Sequence, residues 1–148
     1  MSDALPTIIQ HYPVTVELSL QWGEMDAFAH LNNVIYFRYF ETARIRYFEK
    51  IALLDYMHRH KIGPILKNAE CTFKIPLTYP DQIVIGVSAA NLEPDRFMLN
   101  YVAFSHQHQK IAATGSSLIV MFDYSSGTKA PVPTVIQENI ARLTPPSS

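Results

Sequence analysis

Val14, Val16, Leu18 and Leu20 alternate with Thr15, Glu17 and Ser19. That period of two predicts a strand over residues 13–22 with one face buried. Residues 23–33 break the alternation and gather Asp26, His30, Asn32 and Asn33, residue types at home in turns and helix caps. From 34 to 51 there is no glycine or proline, and Tyr36, Phe40, Ala43, Tyr47 and Ile51 recur at spacings of three and four. Phe37, Ile45 and Phe48 widen that stripe, while Arg38, Glu41, Arg44, Arg46, Glu49 and Lys50 form the polar side. The pattern predicts a helix of about five turns that needs a broad apolar surface to lie on. A short helical turn over 53–61 follows, and then segments 65–76, 82–92, 96–105 and 110–124 read as strands. Turns are expected at Tyr79-Pro80-Asp81, at Glu93-Pro94-Asp95 and over residues 105–109.

Links this short favour antiparallel neighbours. Ser125-Ser126-Gly127 ends the last strand, and Pro131 and Pro133 keep it from resuming. A weak helical turn is expected next, then a disordered end at Pro145-Pro146-Ser147-Ser148. The order is one strand, one long helix and four strands, with a single helix large enough to cover the sheet. The expectation is therefore an α+β chain whose antiparallel sheet of about five strands curls around a central helix. Residues 1–148 are expected to form one domain, with a core over about 13–142 and flexible termini. Exposed sheet edges in so small a protein invite edge-to-edge pairing of two copies.

Composition narrows the functional classes. A chain of 148 residues that is 48% apolar builds a core without metal or disulfide staples. Its one cysteine, Cys71, has no partner within the chain and sits in an apolar strand, which predicts a buried, inert thiol and suits a reducing cytoplasm. A formal charge of −1 supplies no basic field for nucleic acid. The five glycines form neither G-x-G-x-x-G nor a P-loop, and the G-x-S-x-G elbow of many serine hydrolases is missing. No signal peptide and no membrane span are expected.

Chemistry concentrates between Gln21 and Tyr36. One carboxylate, Asp26, stands in a loop just before the amino end of the long helix, where unpaired backbone N–H groups carry a positive partial charge. Such donors polarise a carbonyl and hold the oxyanion formed when it is attacked. A carboxylate beside an oxyanion site is enough for acyl transfer from a good leaving group such as a thiolate.

The run W-G-x-x-D-A-x-x-H-x-N-N-x-x-Y from Trp22 to Tyr36, followed by Phe40-Glu41-x-Ala43-Arg44, resembles the 4-hydroxybenzoyl-CoA thioesterase family of hot-dog proteins. The likeness is to its bacterial acyl-CoA thioesterase branch. It extends loosely over nearly the whole chain, to Gly127-x-Lys129-x-Pro131-x-Pro133. The resemblance implies a hot-dog fold and hydrolysis of an acyl-CoA, with no cofactor and no metal. By position, Asp26 matches the catalytic aspartate, as nucleophile or as general base. The Asn33 backbone N–H matches the donor that polarises the thioester carbonyl. His30 and Asn32 match positions that shape the loop and pocket. The resemblance also implies a homodimer or homotetramer with sites at the subunit interface. Two departures stand out: Glu24 where relatives usually carry aspartate, and Gln21 where arginine is common. Glu24 keeps its charge on a longer stem, so little damage to catalysis is expected, while losing the arginine alters a loop salt bridge.

Other residues carry weaker signals. Phe28 and Tyr36 are expected to line an acyl channel, and Arg96, Lys110 and Lys129 to meet CoA phosphates from strand ends and turns. The H-x-H pairs His58/His60 and His106/His108 lack convergent further ligands and read as solvated loops. Two other functions stay open. An enoyl-thioester hydratase or dehydratase would need a histidine paired with a carboxylate, and Asp26 and His30 lie four residues apart. A non-catalytic acyl-thioester binder is the other, because fold alone does not establish activity.

Overall fold

The computed structural model describes residues 6–145. β1 (Val14–Ser19) leads through a 3₁₀ turn, Trp22–Glu24, and a tight loop into α1 (Asn33–Lys50). α2 (Leu53–His60) follows after a left-handed Ala52, and then come β2 (Ile62–Phe73), β3 (Gln82–Ala90), β4 (Arg96–Ser105) and β5 (Lys110–Asp123). A two-residue β6 (Thr128–Lys129) and α3 (Thr134–Leu143) finish the chain. The sheet order is β1-β3-β4-β5-β2, antiparallel at every pairing, with β6 added onto β5. This is the hot-dog arrangement, a curled sheet around one long helix.

α1 exists for the reason its sequence predicts: Tyr36, Phe40, Ala43, Tyr47 and Ile51 are all buried at helical spacing. They meet the inward residues of the sheet, among them Ile83, Ile85, Phe97, Leu99, Ile119 and Met121. At one point the approach is so close that only glycine fits. A Cβ on Gly115 of β5 would lie 2.5 Å from Phe40 Cε2, so the ring of Phe40 rests on bare backbone. α1 packs chiefly over β1 and β3 and barely touches β2. A trough is thereby left between α1 and β2, and β2 is an edge strand.

Four expectations need correction. Arg44, assigned to the polar side of α1, is buried, while Phe37 and Ile45 of its apolar stripe are exposed. The core does not begin at residue 13. Ile9 is fully buried against Val84, Val102 and Phe104 on the outer face of the sheet, so β3 is covered on both sides. The weak turn after Pro133 is a full ten-residue helix, because Ile136 and Ile140 bury one face of α3 in the core. His58 and His60 lie on α2 rather than in a loop, two apart and so on different helix faces. The expected disorder of Pro146-Ser147-Ser148 lies outside the described residues.

Candidate active site

The loop before α1 is built almost entirely from local bonds. Met25 and Leu31 pair as an isolated antiparallel bridge, and Ala29 takes a left-handed φ of 63° to turn the chain between them. Asp26 closes this turn with its backbone and its side chain. Its N–H donates to the His30 carbonyl at 2.7 Å. Its Oδ1 accepts from the N–H groups of Phe28 at 2.8 Å and His30 at 3.2 Å. Two backbone donors therefore anchor one carboxylate oxygen, and Oδ2 has no protein partner among the described residues.

Just beyond the turn, α1 opens. Asn32 is its N-cap, with Oδ1 accepting from Val34 N–H at 3.0 Å, and the Asn32 carbonyl accepts from Ile35 N–H at 2.9 Å. The N–H of Asn33 has no acceptor among the described residues. It is an orphan donor at the positive end of an eighteen-residue helix. The helix tip is capped but not plugged: the cap takes the next amide and leaves this one open.

Asp26 and Asn33 line the same cavity, of about 230 Å³, with His30, Leu31 and Tyr36 on one side and Phe73, Lys74, Ile75 and Pro76 on the other. The Tyr36 ring meets Phe73 edge-on at 5.1 Å. Burial, with smaller contributions from Cys71 and Asp81, pushes the Tyr36 hydroxyl up to about 12, so it stays a neutral donor at physiological pH. The cation on this wall is Lys74, which periodicity alone did not single out; its signal is its position just after β2, where the chain crosses in front of the helix tip.

A second brace ties the loop to the helix. Glu24 Oε1 accepts from Gln21 N–H at 2.9 Å and from the hydroxyl of Tyr39, while the Glu24 carbonyl accepts from Asn32 N–H at 3.0 Å. Burial and the Glu24 carboxylate both push the Tyr39 hydroxyl upward, which keeps it a donor. One Glu24 carboxylate oxygen thus ties the 3₁₀ turn to α1. Gln21 caps the 3₁₀ turn through its backbone N–H bond to Glu24, and its side-chain amide donates to Ser19 O at 3.3 Å.

The remaining expected site residues divide. His30 borders the cavity but meets Asp26 through its backbone and not its ring, so the two do not form an imidazole–carboxylate dyad. The side chain of Asn32 is spent on the helix cap and does not line the cavity. Phe28 points into solvent at 81% exposure, because the turn that lets its N–H reach Asp26 directs its ring outward. Arg96 and Lys129 lie at the far end of the sheet. Lys129 pairs beside Phe122 of β5, whereas the cavity adjoins Ala112, whose carbonyl accepts from Lys74 and Ile75. Ten residues of strand separate those points, about 33 Å, and Arg96 is held by Asp95 through contacts of 2.8 and 3.2 Å. Neither joins the Asp26 cavity within one chain. Cys71 is half-buried rather than buried, and burial pushes its thiol up to about 11, which leaves it unreactive.

In sequence and fold the chain is similar to known proteins. The sequence model of the thioesterase-like superfamily matches residues 20–140. The chain is 24% identical over 111 residues to the uncharacterised protein YsmA of Bacillus subtilis (strain 168), covering 75% of this chain and 74% of that one. Among solved structures, a thioesterase of Thermus thermophilus complexed with coenzyme A and Zn superposes with a TM-score of 0.78 at 27% identity, covering 90% of this chain and 96% of that chain. Slr0204 of Synechocystis, a 1,4-dihydroxy-2-naphthoyl-CoA thioesterase, shares the fold with a TM-score of 0.78 at 17% identity, covering 90% and 98%.

Proposed function

The chain belongs to the thioesterase-like superfamily, and on that premise we propose that it hydrolyses an acyl-CoA to free acid and CoA, with Asp26 as the reacting carboxylate and Asn33 N–H as the oxyanion donor. The observation that carries this is one cavity bordered by an anchored carboxylate with a spare oxygen and by an open helix-tip amide. The thioester carbonyl oxygen sits against Asn33 N–H, whose interaction strengthens as negative charge develops on that oxygen. Asp26 Oδ2 faces the carbonyl carbon. Attack by Oδ2 forms a C–O bond, and collapse of the tetrahedral intermediate expels the CoA thiolate to leave a mixed anhydride, which water opens. Alternatively Oδ2 takes a proton from water as that water attacks, and no covalent species forms. Single-turnover hydrolysis in heavy-oxygen water tests the first route: label in Asp26 marks a mixed anhydride opened by water at the Asp26 carbon.

Lys74, on the cavity wall, is placed to meet the anionic CoA moiety in place of the more distant Arg96 and Lys129. β2 explains the assembly we infer. It is twelve residues long, mostly exposed, with Ile65, Leu66 and Phe73 open to solvent and one edge unpaired. Edge-to-edge pairing of two copies along β2 would close the open side of the α1–β2 trough, putting the site at a subunit interface of a homodimer or a tetramer built from it. No helix among the described residues is long and apolar enough to cross a membrane, and a CoA ester substrate and a free cysteine go with a cytoplasmic setting. The test is thiol release across short, long and aromatic acyl-CoAs, with crotonyl-CoA watched for hydration. Thiol release from some member supports the reading. Hydration without release, or tight binding without turnover on the whole panel, would sink it.

A further inference from the structure

The trough between α1 and β2 holds a second recess, of about 260 Å³, further along α1. Val34, Phe37, Phe40, Leu66 and Ala69 make its walls apolar, and Arg44 and Tyr101 border its deep side. Arg44 is the charged residue of α1 that the fold buries, at 9% exposure. Its Nη1 donates to the Tyr101 hydroxyl at 3.2 Å, and that hydroxyl shares a further hydrogen bond with Ser117 Oγ at 2.6 Å. Nη2 lies 3.8 Å from Glu41 Oε2, outside hydrogen-bond reach, and the Glu41 side chain is 66% exposed. A guanidinium has five N–H donors, and among the described residues this one makes a single hydrogen bond, to Tyr101. The remaining donors keep some solvent exposure and stay open to the recess, free to take an anionic partner. Arg38, Glu41 and Glu70 also border the recess but are exposed, where water and salt screen them.

The recess begins at Val34, next in the chain to the open Asn33 amide, and follows one face of α1 through Phe37, Arg38 and Glu41 to Arg44. About 16 Å of helix rise separates Asn33 from Arg44, shortened by the lean of the arginine side chain toward the helix start. We propose that Arg44 is a specificity residue that takes a carboxylate at the far end of the acyl group, so that the enzyme favours ω-carboxyacyl thioesters over plain acyl thioesters of equal length. A carboxylate offers two oxygens to the planar donor fork, the pairing guanidinium forms best. The inference rests on the reading of Asp26 and Asn33 given above and deepens it.

The test is kcat/KM by thiol release for ω-carboxyacyl-CoA esters of rising length, each against the plain acyl-CoA of that length. The wild-type protein is expected to prefer the ω-carboxyl ester by at least about tenfold at one optimal length, the worth of one well-made charged contact. Arg44→Met is expected to bring that ratio to about one, and Arg44→Lys to keep part of it. Should Arg44→Met fail to fold, Tyr101→Phe removes the hydroxyl that orients the guanidinium and is expected to lower the same ratio. A wild-type ratio near one overturns the inference while leaving thioester hydrolysis standing. An unchanged ratio in the variants, or loss of the native oligomer with the ratio intact, overturns it as well by making Arg44 a packing or interface residue. Absence of thiol release from every ester removes this inference together with the reading beneath it.

Discussion

The two ends of the α1–β2 trough are built in different ways. At the Asp26 end the bonds that orient the carboxylate and cap the helix span a few residues: Asp26 to Phe28 and His30, Asn32 to Val34, Glu24 to Gln21. At the Arg44 end the contacts cross the fold, from α1 to Tyr101 of β4 and on to Ser117 of β5. The reacting end is a local motif that carries its geometry with it. The far end is assembled by the sheet and changes with whatever side chains the strands bring there. Chemistry and selectivity can therefore vary independently along one groove.

That contrast can be broken at either end. The largest effect is expected from Asp26→Asn. The amide oxygen can still accept from Phe28 and His30, so circular dichroism and the melting temperature should hold, while kcat falls at least ~100-fold. Near-normal turnover would remove Asp26 from the chemistry. Asn33→Pro sharpens the oxyanion assignment, because it deletes the N–H at the first helical position, where proline is tolerated. Asn32 already has φ −62° and ψ 135°, the extended conformation that a residue before proline requires. The expected loss is about 100-fold in kcat with the helix intact. Asn33→Ala, which keeps the amide, should retain most activity, and equal losses in the two variants would point to the side chain instead.

Stability changes come next. Gly115→Ala drives a methyl into Phe40 and should cost about 1–3 kcal/mol in denaturant unfolding. Because Phe40 stacks on Tyr101 at 4.8 Å, its effect on substrates should grow with acyl length; an equal loss on short and long chains would contradict the division between the two ends. Asn32→Ala removes the cap of α1 at about 1 kcal/mol, measured by thermal melting. The smallest effect is expected at Cys71. With its thiol pushed up to about 11, little thiolate is present at pH 8, so alkylation by iodoacetamide should be slow compared with a free thiol and leave turnover unchanged.

Much of this was legible in one dimension. The periods of two and near 3.6 located β1, α1 and the four later strands to within a few residues, because each element buries one face and its spacing follows from backbone geometry. The loop motif was legible for the same reason: a carboxylate that bonds amides two and four residues on, and an asparagine that caps the next helix, need nothing distant to take shape. Arg44 was misread because helical periodicity marks a charged residue as solvent-facing, and it is the sheet that covers it. Phe28, Arg96 and Lys129 stand away from the Asp26 cavity within one chain, because proximity in the motif, or a positive charge near a strand end, says nothing about direction or about which end of a sheet a residue reaches. Local hydrogen bonds and alternation are written into neighbouring residues. The closeness of Phe40 to Gly115, the burial of Arg44 on Tyr101 and the open edge of β2 depend on which strands end up side by side, and that is settled only when the whole sheet closes around its helix.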